Sequence, residues 1–145
     1  MARALRTELP DGYFHAYSRG TGPMVIYRDA DDFTTFERML GSVARRFSWT
    51  LYAYCLMPTH YHLIVEARVE RLSRGMQRLN GLYARYFNAR HDRSGALFQG
   101  RFHVRVVDSD EYLERLSNYV PDNPLRAGLC EARGDWNWAW SSFEA

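Results

Sequence analysis

The sequence contains no lysine, so all 19 of its basic residues are arginine, and against 17 acidic residues they leave a formal net charge of only +2. So small an excess does not announce a nucleic-acid partner. Arginine is the side chain best shaped for forked contacts with phosphate, but an arginine-biased codon usage is the plainer account of the bias. Cysteine is scarce: Cys55 and Cys130 are far apart and form no CxxC pair, which argues against a disulfide framework or a zinc knuckle and for a reducing cytoplasm. Long apolar runs are missing too. The longest, around Leu51 to Met57, is far short of a bilayer span, and none follows the arginines of Met1 to Pro10, so neither membrane insertion nor secretion is expected. Repeats, low-complexity tracts and linkers are absent.

What remains is an ordinary globular composition, 46% hydrophobic with 15% aromatic residues. At 145 residues it suits one compact domain spanning the whole chain, residues 1–145. Gly12 to Arg19 reads as a short aromatic-rich strand, broken by Gly20, Gly22 and Pro23. Asp29, Asp31 and Asp32 supply capping and dipole-favourable charge to a helix that carries Phe33, Phe36, Leu40, Val43 and Phe47 at helical spacing, to about Arg46. Trp49 to Leu56 and Tyr61 to Glu66 form an antiparallel pair joined tightly through Met57, Pro58 and Thr59. Glu70 to about Arg90 is the clearest helix, with Leu72, Met76, Leu79, Tyr83, Tyr86 and Phe87 on one face. Phe102 to Val107 alternates as a fourth strand, and Ser109 or Asp110 caps a last helix carrying Tyr112, Leu113, Leu116, Tyr119 and Val120. This order predicts an α+β fold: a ferredoxin-like four-stranded antiparallel sheet with helices on one face, plus a C-terminal helix carrying the tyrosine.

His60 and His62 are two apart on a strand, so both project from one sheet face and can offer two imidazoles to a metal ion. A lone His-x-His pair is as readily structural. Tyr119 and Asn123, four apart, stack on one helical face, where a phenol can attack phosphorus while the amide completes a metal site. Tyr119 also fits the apolar stripe of its helix, and Tyr112 is a rival nucleophile without a polar partner four residues on. Arg71, Arg74, Arg78 and Arg85 keep to one side of their helix, and Arg90, Arg93 and Arg101 follow, either as a phosphate-tracking surface or as a solvated face. Phe98, between Gly95 and Gly100, can stack on a base or merely turn the chain into the fourth strand. His15 and Glu66 can lie near the metal, or be a half-buried histidine and a surface glutamate.

Taken together, Met57-Pro58-Thr59-His60-Tyr61-His62-Leu63, Tyr86-Phe87-Asn88, Ser94-Gly95-Ala96-Leu97-Phe98-Gln99-Gly100-Arg101 and Asn123-Pro124-Leu125-Arg126-Ala127-Gly128 resemble the single-tyrosine HUH transposases, and within them the REP-associated tyrosine transposases. The resemblance runs from about Tyr13 to Phe143. It implies a transposase-like nuclease and strand transferase that recognises hairpins in single-stranded DNA, cleaves beside them and keeps the 5′ phosphate on tyrosine. Tyr119 matches the nucleophile, His60 and His62 the histidine pair, and Asn123 the amide ligand of a magnesium or manganese ion. Thr59 stands where the REP-associated branch usually has asparagine, and Pro121 falls between Tyr119 and Asn123, where it removes a helical hydrogen bond.

The expectation is therefore a cytoplasmic DNA strand transferase, monomer or homodimer, with Arg71, Arg74, Arg78, Arg85, Arg93 and Arg101 on the DNA. A non-catalytic hairpin-binding module and, less favoured, an RNA-binding domain on the same sheet topology are the competing readings.

Overall fold

The computed structural model describes residues 11–107, in which β1 (Gly12–Arg19), α1 (Ala30–Arg46), β2 (Thr50–Met57), β3 (His60–Ala67), α2 (Val69–Arg90) and β4 (His103–Val107) follow one another. The expected last helix, with Tyr112, Tyr119 and Asn123, lies outside the described residues. The sheet order is β2-β3-β1-β4 and every neighbouring pair is antiparallel. Each helix therefore connects two strands that are not adjacent: α1 carries the chain past β3 to β2, and α2 past β1 to β4. These interlocked crossovers are the expected ferredoxin-like α+β arrangement.

Strand alternation sorts the side chains into two layers. Phe14 and Ala16 of β1 and Tyr61, Leu63 and Val65 of β3 join Phe36, Leu40 and Val43 of α1 and Leu72, Met76, Leu79 and Tyr83 of α2 in the main core. The opposite face carries a smaller cluster of Ala53, Cys55, Met57, Ile64 and Val107, with Tyr13 packed against it. His60 and His62 share parity with Ile64, so they belong to this second face, away from both helices.

Of the three aspartates at the start of α1, Asp29 is the cap: its Oδ1 accepts from the Asp32 amide at 3.1 Å. Asp32 is wholly buried and ties the start of α1 to the end of α2. It accepts from the Arg28 amide and the Tyr86 hydroxyl at 2.9 Å, from Arg90 at 2.6 Å and from His91 at 2.8 Å. Burial opposes its charge, but these donors prevail and hold the carboxyl below the ordinary aspartate value. Arg90 also forks onto Asp29 through two 2.6 Å bonds.

At the other end of α2, Gly75 is required by close approach, because a Cβ there would lie 2.3 Å from the Trp49 indole. The same indole donates to the Arg71 carbonyl at 3.2 Å. The β2–β3 turn is pinned in turn by the loop after β1: the Gly20 amide donates to Thr59 O and the Ile26 amide to Pro58 O, both at 2.8 Å. Phe98 is drawn into the core rather than offered to a base. It is 8% exposed, bridges to Gly20 and packs against Tyr61 and Tyr83. Of the two sequence readings of that loop, the plain one holds.

Candidate active site

Because Met57 pairs directly with His60, β3 starts at the histidine motif with only Pro58 and Thr59 in the turn. Register then sets the neighbours. Arg19 of β1 lies opposite His60 and Tyr17 opposite His62, on the same face. The two imidazoles stand 5.1 Å apart and nearly perpendicular, at 88°. Thr59 Oγ1 is 3.1 Å from His60 Nδ1, and His15 Nε2 is 2.9 Å from His62 Nδ1. Each ring is thus oriented through Nδ1 by a neighbour, as metal-binding histidines commonly are. Tyr17 lies beside His62 at 5.5 Å and stacks on His103 of β4 at 4.9 Å. Tyr17, Arg19, His60 and His62 line a cavity of about 210 Å³.

The electrostatics favour neutral rings. Burial, followed by repulsion from His15 and His60, pulls His62 down to about 3. His15 falls to about 4 through burial and the Arg105 charge. His60 is lowered by burial and by Arg19. Neutral imidazoles are the protonation state that binds borderline divalent cations. Among the described residues, no cluster of three or more His, Cys, Asp or Glu suited to a metal occurs.

A pH dependence of stability follows. In the unfolded chain these rings protonate near the ordinary value of 6.5, while in the fold His15 and His62 stay neutral down to about 4 and about 3. Below 6.5 the unfolded chain binds more protons, so stability falls with falling pH by about 1.4 kcal/mol per unit for each ring. Asp29, held at about 2 first by its bond from Arg90, adds to the slope only as pH falls through the ordinary aspartate value of 3.8, below most of that window. With chelator present, the melting temperature should be flat above about pH 7 and drop steadily below 6.5. A melting temperature unchanged down to about pH 5 would contradict the burial assigned to the two rings.

The fold brings some sequence-selected residues together and separates others. His15 joins the histidine pair directly. Glu66 does not: it lies at the far end of β3, opposite Tyr13 and Thr50, and accepts from the Tyr52 hydroxyl at 3.2 Å. Arg71, Arg74, Arg78 and Arg85 are exposed on α2, which packs on the other face of the sheet. Arg93 is committed to its own loop, bonding Asn88 Oδ1 at 2.9 Å and the Ala96 carbonyl at 3.0 Å. Arg101 is exposed just before β4. Tyr17 and Arg19 were missed by the sequence reading, although their odd-numbered parity with His15 on β1 carried the signal.

Residues 25–123 match the family described as IS200-like transposase. The chain belongs to this family. No curated protein is similar enough to count as a match. Among solved structures, a REP-associated tyrosine transposase bound to a REP hairpin aligns with a TM-score of 0.76 at 16% identity, covering 99% of this chain and 83% of that one. A Deinococcus radiodurans protein crystallised as a candidate transposase aligns at a TM-score of 0.56 and 17% identity, covering 82% of this chain and 95% of that one. At these identities the likeness is one of fold. Within the IS200-like transposase family, the histidine pair lies inside the matched span, as do Tyr119 and Asn123. No described helix is long and apolar enough to cross a membrane.

Proposed function

We propose that the chain, as one HUH domain of the REP-associated branch, is a metal-dependent single-stranded DNA nuclease and strand transferase that acts beside hairpins. The observation that carries this is the pair His60 and His62, held neutral and oriented at a cavity that also carries the Arg19 guanidinium. The fold shared with a hairpin-bound transposase supports hairpin DNA as the substrate.

His60, His62 and the Asn123 amide would hold magnesium or manganese, which when bound withdraws charge from a phosphate oxygen and favours a phenolate. The protein's own groups do the rest. Thr59 and His15 fix the ring planes, and Arg19 gives a scissile phosphate an anion contact on the same face. The Tyr119 oxygen forms a bond to phosphorus as the P–O3′ bond breaks, and the departing oxygen takes a proton to become the 3′ hydroxyl. The reverse attack by a 3′ hydroxyl on the phosphotyrosine rejoins DNA. No nucleotide is consumed, because the ester energy is conserved in the protein–DNA bond.

Incubating the protein with hairpin-bearing single-stranded DNA and manganese should give a covalent adduct on a denaturing gel, absent with Tyr119→Phe and retained with Tyr112→Phe. Wild type that binds the hairpin in a salt-sensitive way yet forms no adduct would leave a binding module in place of the enzyme. Preference for the matching RNA would leave an RNA-binding domain.

A further inference from the structure

Among the described residues lining the histidine cavity, His60 and His62 offer ring nitrogens, Arg19 a guanidinium and Tyr17 a phenol. Elsewhere the hydroxyls of Tyr52, Tyr54, Tyr61, Tyr83 and Tyr86 each donate to a protein acceptor. The Tyr17 hydroxyl makes no hydrogen bond among the described residues. Its ring is nonetheless held in place. Tyr17 is half-buried, stacked at 17° on His103 of β4 on one side and 5.5 Å from His62 of β3 on the other. A phenol fixed by its ring, with its hydroxyl uncommitted, is a preorganised donor, because no internal bond has to break before it serves a ligand.

The β1–β3 register decides what that ligand is. His60 lies opposite Arg19 and His62 opposite Tyr17, two residues along each strand. The four side chains therefore rise from the corners of a rectangle about 4.8 Å across and about 6.8 Å along the strands. A phosphodiester whose two unesterified oxygens face the ring pair and the Arg19 guanidinium leaves an ester oxygen for the remaining corner, where Tyr17 stands. Cleavage gives that oxygen a need for a proton. When the Tyr119 oxygen displaces it, a phenolate is exchanged for a far more basic alkoxide, so the exchange runs uphill unless the departing oxygen is protonated as its bond breaks.

We propose that Tyr17 is a further catalytic residue, whose hydroxyl gives its proton to the leaving 3′ oxygen. This rests on the reading of the chain as a DNA strand transferase. The bond from the Tyr119 oxygen to phosphorus forms, the P–O3′ bond breaks and leaves its electron pair on O3′, and the proton of the Tyr17 hydroxyl passes to O3′. The Tyr17 oxygen then recovers a proton from water. Rejoining retraces these steps, with the Tyr17 oxygen taking the proton of the attacking 3′ hydroxyl.

The test compares the full chain with its Tyr17→Phe variant, which keeps the ring and its stacking and removes only the hydroxyl. Single-turnover adduct formation is followed with manganese and hairpin-bearing single-stranded DNA, either ordinary or carrying sulfur in place of the 3′ oxygen at the linkage that wild type cuts. A thiolate leaves without a proton. Tyr17→Phe should slow adduct formation by about a hundredfold or more on ordinary DNA and by about twofold or less on the sulfur-substituted strand. Rejoining of ordinary DNA should slow by the same factor as cleavage, so the equilibrium yield of adduct stays that of wild type. Hairpin binding in chelator, manganese affinity by calorimetry and melting temperature should all equal wild type. Equal slowing on both substrates, or a loss of manganese affinity, would reduce Tyr17 to a packing role, and an unslowed variant would remove its hydroxyl from the reaction; each overturns this inference alone. Wild type that forms no adduct overturns it together with the proposed function.

Discussion

His62→Ala should lose adduct formation by about a thousandfold or more while hairpin binding in chelator stays near wild type. On the proposed function the histidine pair supplies part of the metal's ligand set. Two imidazoles 5.1 Å apart, oriented by Thr59 and His15, line the cavity together. If the pair holds the cation as proposed, removing one ring leaves a single imidazole nitrogen for it. Loss of a catalytic cation forfeits several kcal/mol of charge stabilisation at the phosphate, which at 1.4 kcal/mol per decade is about three orders of magnitude. His60→Ala should behave the same way. His15→Ala is the informative contrast: it removes the partner that orients His62 but no ligand, so manganese affinity should fall by about tenfold and excess metal should rescue the reaction. Titration calorimetry with manganese separates the cases. Equal metal affinity in wild type and His62→Ala would remove the pair from the metal site.

Much of this site was readable from local pattern, and the part that was not is long-range. Period-two alternation puts His60 and His62 on one face, and it does so without any knowledge of the neighbours. That His15 meets His62, and that Tyr17 and Arg19 line the same cavity, depends on the β1–β3 register, which no single strand encodes. Helical periodicity likewise collects Arg71, Arg74, Arg78 and Arg85 on one face of α2 but says nothing of which side of the sheet that helix covers. The sequence leaves the glycine-flanked Phe98 open between base stacking and a plain turn because its burial is made by Gly20, Tyr61 and Tyr83, all distant in sequence. Asp32 looked like one of three capping aspartates for the same reason. Its partners on α2 are 54 to 59 residues away.

That distance is why Asp32→Ala should be the most damaging single change to stability outside the apolar core. The carboxylate is fully buried and receives an arginine, a histidine, a tyrosine hydroxyl and a backbone amide. Alanine withdraws the acceptor from all four at once. Arg90 keeps Asp29 and is itself 33% exposed, so its share of the loss is softened, whereas the His91 side chain is only 11% exposed. Breaking a buried ion pair from one side costs about 3–5 kcal/mol, a large fraction of the roughly 5–15 kcal/mol that holds a domain together. For a chain of this length that lowers the melting temperature by about 10 °C or more. Asp32→Asn keeps the shape and one acceptor oxygen, and should recover part of the loss. Asp29→Ala, at an exposed cap, should cost much less. The three variants ranked by thermal unfolding test the claim directly: Asp32→Ala melting within a degree or two of wild type would mean that α1 and α2 are joined by the apolar core alone, with the charged network adding nothing.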